Sequence, residues 1–159
     1  MTTLKIDIIT VGKLKERFWV DACAEYLKRL RPYAKMSVKE VDDISLTRAG
    51  TPERLLELEA AQIRTVLSRD AHVLVCDRQG SECSSEQIAK LIQTHLDQGT
   101  HHLVFVVGGS HGVSPGLIQQ ADESISFGPI TLPHNLARVV LLEQLYRAFK
   151  IIHNEPYHK

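Results

Sequence analysis

No stretch of this 159-residue chain approaches the roughly 20 consecutive apolar residues that a membrane-spanning helix needs. The start, Met1-Thr2-Thr3-Leu4-Lys5-Ile6-Asp7, lacks a cationic segment followed by a long apolar one, so no secretory signal is read and a cytoplasmic protein is expected. Cysteine is scarce and odd in number: Cys23, Cys76 and Cys83 show no CxxC spacing, which argues against a disulfide framework or a zinc finger. No HExxH is present either, and the neighbours His101 and His102 would point to opposite faces of a strand. No metal is expected. Internal repeats, low-complexity stretches and linkers are also missing, so the chain reads as a single domain over residues 1–159.

Excess charge is absent as well: the formal net charge is zero, which disfavours a protein that grips naked nucleic acid by charge alone. The distribution is uneven, however. Residues 1–39 carry nine Lys or Arg against four Asp or Glu, and residues 40–70 carry seven acids against four bases. A local basic face can hold phosphate on a neutral protein, and the same lysines and arginines can equally form a solvated helix surface.

What is present is a regular alternation of strand and helix patterns. Residues 4–11 alternate and are β-branched, predicting a strand that Gly12 breaks. A helix is expected from about Leu14 to Leu30, with Phe18, Cys23, Tyr26, Leu27 and Leu30 near helical spacing, ended by Pro32. A shorter strand over 36–41 and a loop over 42–50 follow. Thr51-Pro52-Glu53 opens a helix to about Ser68, with proline in its first turn. The apolar run 71–76 reads as a buried strand. Ser84 or Ser85 caps a helix over 86–96 that Gly99 terminates. Residues 103–107 give another buried strand, 115–121 a short helix and 124–127 a strand. Pro133 introduces a long helix from Asn135 to His153, followed by a polar tail. Such alternation, with strands apolar on both faces, predicts a three-layer α/β sandwich around a mostly parallel sheet.

Ligands of open α/β sheets bind beyond the carboxyl ends of the strands, and three of those ends are unusual. The strand ending at Cys76 passes into Asp77-Arg78-Gln79-Gly80. The one ending at Val107 passes into Gly108-Gly109-Ser110-His111-Gly112, and the one ending at Phe127 into Gly128-Pro129-Ile130-Thr131-Leu132-Pro133. Glycine lets a ligand approach the backbone closely, and a loop in place of a helix leaves N–H and C=O groups free for an adenine edge. Neither GxGxxG nor GxxxxGK[ST] occurs, so dinucleotide and P-loop readings lose their fingerprints. The residues themselves lead as far as an adenosine-like ligand in a C-terminal cleft.

Val107-Gly108-Gly109-Ser110-His111-Gly112, Thr131-Leu132-Pro133-His134, the run from Arg138 to Lys150 and the terminal Pro156-Tyr157-His158-Lys159 together resemble the ribosomal RNA large subunit methyltransferase H family. Val11-Gly12-Lys13-Leu14-Lys15 and Glu25-Tyr26-Leu27-Lys28-Arg29 are similar too, so the resemblance covers essentially the full length. It implies a SPOUT fold with a C-terminal trefoil knot, an exception to the rule that chains do not thread loops. It further implies a homodimer and S-adenosyl-L-methionine as cofactor. The implied reaction methylates N3 of a pseudouridine in the helix 69 loop of 23S rRNA, within the assembled ribosome. A neutral protein suits that substrate, because a ribosome presents its target largely by shape.

Carried over by resemblance, the cofactor contacts fall at Cys76, Gly108, Phe127, Gly128, Pro129, Ile130, Thr131 and Leu132. Cys76 stands where relatives often have leucine, and either side chain can pack against adenosine. Gly109 and Gly112 stand between two readings, further cofactor contacts or residues that only shape the turn. The imide proton at N3 must leave, which calls for a base or a solvent path. His134, Arg138, Tyr157 and His158 are the candidate catalytic residues. For His134, capping the last helix and touching substrate stand as equal readings. Arg138 could hold a phosphate or a developing oxyanion. Glu143 and Arg147, spaced i,i+4, are read as a helix-face pair, and Tyr146 as a core or interface aromatic. Tyr157, His158 and Lys159 are expected to form a mobile cap from either protomer. Two rival readings are a noncatalytic ribosome-binding protein of the same fold and a nucleotide-binding oxidoreductase.

Overall fold

The computed structural model describes residues 3–159. Met1 and Thr2, part of the start read above for a signal, lie outside the described residues. Five strands, β1 (Lys5–Val11), β2 (Lys35–Val41), β3 (His72–Glu82), β4 (His102–Val107) and β5 (Glu123–Ser126), form one sheet in the order β2-β1-β4-β3-β5. Every pairing is parallel. Six helices intervene: α1 (Arg17–Leu30), α2 (Leu46–Ala49), α3 (Pro52–Val66), α4 (Ser85–Asp97), α5 (Pro115–Gln120) and α6 (His134–Ile152).

Side chains alternate across a strand, and that period of two sorts the sheet into two cores. Ile6 and Ile8 of β1, Leu74 of β3 and Leu103 and Phe105 of β4 pack with Cys23 and Leu30 of α1, Ile88 and Ile92 of α4 and Leu141, Leu142, Leu145 and Phe149 of α6. Ile9 and Val11, Val75, and Val104 and Val106 point the other way, onto Ala60 and Ile63 of α3 and Leu117 of α5. Residue by residue along β4 the assignment switches face, and all five apolar members are buried. The near-continuous apolar runs therefore mean what they predict: strands covered on both sides.

Four expectations need correction. First, the region 42–50 is not all loop. Ser45 Oγ accepts from Arg48 N (3.1 Å) and starts the single-turn α2, which Gly50 ends at φ +89°. Second, α1 begins at Arg17, not Leu14, and Phe18 stays 63% exposed with its ring against Trp19. Third, α3 stops at Val66 rather than about Ser68. Fourth, β3 does not stop at Cys76. Its pairing with β5 jumps between Cys76 and Ser81, which both face Ile125, so Asp77-Arg78-Gln79-Gly80 bulges out of a strand that resumes. Gly80 allows it: a Cβ there would lie 2.8 Å from the Ser124 carbonyl carbon.

Among the described residues no helix is long and apolar enough to cross a membrane. Phe105, on the central β4 and 1% exposed, is one of the largest fully buried side chains and packs with the α1, α4 and α6 layer. Phe105→Ala is expected to cost about 3–5 kcal/mol. Urea unfolding would show this as a lower midpoint at unchanged slope; a loss below about 1 kcal/mol would contradict the packing described here.

Candidate cofactor cleft and C-terminal tail

The bulge within β3 and the carboxyl ends of β4 and β5 open into one cleft of about 540 Å³. Its walls include Cys76 and the Asp77–Gln79 bulge, the whole Gly108–Gly112 turn, Phe127, Gly128, Ile130, Thr131 and Leu132, and His134 with Ala137 from the start of α6. Of the cofactor residues expected from the sequence, all but Pro129 line it.

The turn after β4 is built from glycine for steric reasons. Gly112 N donates to the Gly109 carbonyl (3.0 Å), folding the chain back on itself, and Gly112 sits at φ +86°. A Cβ on Gly108 would run into the Gly112 carbonyl group, 2.6 Å from its carbon, and into Val113 Cγ2 at 2.8 Å. Beneath the turn lies the buried Glu59 of α3. Its Oε2 accepts from Ile44 N (3.0 Å), whereas Oε1, beside Gly109, has no hydrogen-bond partner. Burial pushes the Glu59 carboxyl above its ordinary range, and neighbouring Asp43 adds to the effect.

The third wall is held from two directions. Ser126 Oγ accepts from Gly128 N and donates to the Gly128 carbonyl, both at 3.1 Å, which closes the turn at Gly128 (φ +107°). Arg78 Nη1 donates to Thr131 Oγ1 (2.8 Å) and ties the loop to the β3 bulge. Ile130 is 72% exposed at the rim. On the opposite wall, burial pushes the Cys76 thiol up to about 12. At neutral pH it is an uncharged, apolar surface, not a thiolate nucleophile.

The four candidate catalytic residues part company. His134 lines the cleft as the first residue of α6; the N-cap is Pro133 with no side-chain cap bond, so His134 does not cap the helix. Arg138 is 3% exposed, and its Nη1 and Nη2 donate to Glu40 Oε2 (2.8 Å) and the Gly12 carbonyl (3.0 Å). It clamps α6 to the ends of β1 and β2 and does not line the cleft. Two of its guanidinium nitrogens are thus engaged within the protein, while Nε is buried without a partner.

Tyr157 and His158 also lie outside the cleft. Tyr157 Oη donates to Glu143 Oε1 (3.1 Å), which also receives Arg147 Nη2 (2.7 Å). Arg147 sits over the Tyr157 ring at 4.8 Å and donates from Nη1 to His158 Nδ1 (3.1 Å). That acceptor role leaves the His158 proton on Nε2, which donates to Glu86 Oε1 of α4 (2.7 Å). The i,i+4 pair read from the sequence thus exists and has a second duty, docking the tail on α6 and α4. In place of the expected mobile cap, the tail here is tied down. Tyr146 joins the same cluster, 4.9 Å from the Tyr157 ring.

Polar side chains not singled out from the sequence also line the cleft: Asp77, Arg78, Gln79, Ser110 and His111. Their signal was position, directly after buried strands.

The family model described as predicted SPOUT methyltransferase matches residues 4–158. The chain is 43% identical to the ribosomal RNA large subunit methyltransferase H of Carboxydothermus hydrogenoformans over 159 residues, covering 98% of this chain and 100% of that one. It is 44% identical to the protein of the same name from Listeria welshimeri, over 164 residues. Among solved structures, a probable methyltransferase from Bordetella pertussis Tohama I superposes with a TM-score of 0.58 at 14% identity, covering 91% of this chain and 94% of that one. A probable methylase family protein from Haemophilus influenzae gives 0.57 at 15% identity, covering 98% of this chain and 71% of that one. Both show likeness of fold.

Glu59 supplies a test of the packing under the glycine turn. An acid raised in the fold is disfavoured when ionised, so its stability is kept below the unfolded-state value, about 4.3, and falls as pH rises through it toward the folded value. Glu59→Gln removes that slope. The melting-temperature difference, variant minus wild type, is expected to grow as pH climbs from about 4 and then level off. A difference constant across pH would contradict it.

Proposed function

We propose that this chain, which belongs to the SPOUT methyltransferase family and to the ribosomal RNA large subunit methyltransferase H family, is an S-adenosyl-L-methionine-dependent methyltransferase of 23S rRNA. The proposed target is N3 of a pseudouridine in the helix 69 loop, presented by the assembled ribosome. The observation that carries the reading is the convergence of the β3 bulge and the ends of β4 and β5 on one cleft whose glycine turn has no room for a Cβ at Gly108.

The residues fit such a cofactor. The neutral Cys76 thiol and Phe127 offer apolar walls for adenosine, the Gly108 backbone permits close approach, and the loop from Gly128 to Leu132 brings main-chain groups to an adenine edge. When bound, S-adenosyl-L-methionine supplies an electrophilic methyl group on sulfonium. The protein's share is then alignment and removal of one proton. His134, the candidate catalytic residue that faces the cleft, is placed to take the N3 proton directly or through water. Arg138 acts as a positioning residue, holding α6 and therefore His134 against the sheet. Tyr157 and His158 reach substrate only by leaving α6 or across a subunit boundary, which suits the proposed homodimer. Family membership also supports the three-layer arrangement, a single domain over residues 1–159, a cytoplasmic location and a trefoil knot. With the knot goes the return of α6 from the edge strand β5 to pack between α1 and α4.

Equilibrium titration separates this reading from its rivals. Wild-type protein is expected to bind S-adenosyl-L-methionine and not NAD; Gly108→Ala should bind about ten- to a hundredfold more weakly, the range of a 1–3 kcal/mol overpacking cost. Deleting residues 156–159 should spare cofactor binding and abolish methylation. Absence of cofactor binding would favour a noncatalytic ribosome-binding protein, NAD binding an oxidoreductase, and full turnover without residues 156–159 would remove the tail from the mechanism.

A further inference from the structure

At the opposite pole of the sheet, three residues far apart in sequence come together. His72 is the first residue of β3, Glu123 the first of β5, and His95 lies in the last turn of α4. His72 Nε2 and His95 Nε2 approach the same oxygen, Glu123 Oε2, at 2.5 and 3.2 Å. The two rings are 4.1 Å apart, and the ligating atoms of all three residues lie within 4.8 Å of one another. The expectation of no metal rested on neighbours in sequence, and this cluster is assembled only by the fold.

We propose that His72, His95 and Glu123 form a binding site for a divalent transition-metal cation of the zinc type. Two imidazoles and one carboxylate suit zinc rather than magnesium or calcium, which prefer all-oxygen sets. Three protein ligands also leave a fourth position for water, and the partly exposed Glu123 side chain opens the site to solvent.

The far nitrogens of both rings support this. A ligating histidine usually presents its other N–H to an oxygen, which fixes the tautomer and leaves the ligating nitrogen bare. His95 Nδ1 lies 3.3 Å from Thr100 Oγ1, and His72 Nδ1 faces Asp122 Oδ2 at 3.9 Å. Asp122 Oδ2 is itself anchored by Val73 N at 2.7 Å. Tetrahedral zinc, with bonds of about 2.0–2.2 Å, separates its ligand atoms by roughly 3.3–3.5 Å. The His95–Glu123 distance already nearly matches. His72 must retreat by under about 1 Å, and its side chain is the more exposed of the two histidines. A bound cation would join α4 to β3 and β5, two of the strands whose other ends wall the cofactor cleft.

The test uses untagged, full-length protein stripped with EDTA. Equilibrium dialysis against Zn2+ should find one ion per chain in the wild type. His72→Ala and Glu123→Gln should each weaken binding by about a hundredfold, while His101→Ala, outside the cluster, leaves it unchanged. Zn2+ should raise the melting temperature of the wild type alone among wild type, His72→Ala and Glu123→Gln. Melting curves in EDTA check that both variants fold. Independently of any variant, Co2+ bound to the wild type should show the intense visible bands of a four-coordinate site. No stoichiometric Zn2+ uptake, uptake indifferent to both variants, or a purely aqua-like Co2+ spectrum would each overturn the proposal. None of these outcomes bears on cofactor binding at the other pole.

Discussion

Beyond Val107 the backbone doubles back within five residues, and the inner residue of that reversal sits where a Cβ would strike the Gly112 carbonyl. Everything on the functional side of the molecule is arranged around this reversal. β4 is central, between β1 and β3, so its end lies at the middle of the C-terminal edge. Because the turn stays tight, the chain leaves room for the bulge of β3 on one side and the Gly128–Leu132 loop on the other. Those two walls then bond to each other through Arg78 and Thr131. A bulkier turn would fill the cleft that the sheet topology provides.

The second constraint is a buried charge. Arg138 is enclosed in the protein, and such a group is tolerated only when its donors are engaged. Glu40 from the end of β2 and the Gly12 carbonyl just after β1 engage Nη1 and Nη2, and Nε alone is buried without a partner. Three elements distant in sequence are thereby held in one register, and His134, one helical turn before Arg138, inherits its place from that clamp. At the far end of α6, Glu143 and Arg147 extend the same helix into a docking surface for Tyr157 and His158. α6 links the clamp, the cleft and the tail.

Much of this was legible in the sequence. The β-branched and apolar runs announced buried parallel strands, and their alternate faces match the two cores residue by residue. The three glycine-bearing strand ends pointed to the cleft without help from any relative. What failed to show has physical reasons. Asp77-Arg78-Gln79-Gly80 looks like a loop because polar residues and glycine mark turns, yet pairing of Ser81 with Ile125 restores the strand after the bulge. Nothing local to Arg138 shows that it is buried against Glu40; only the tertiary pairing reveals the clamp. His72, His95 and Glu123 carry no local spacing at all, since each comes from a different element.

The most direct measurement of the central claim is methyl transfer from labelled S-adenosyl-L-methionine to ribosomes that lack the modification, with free 23S rRNA alongside. The account predicts label on the helix 69 pseudouridine, strong with ribosomes and weak with free rRNA. Cofactor bound in the cleft but no label in either sample would contradict the proposed substrate, and label at another nucleotide would contradict the proposed site.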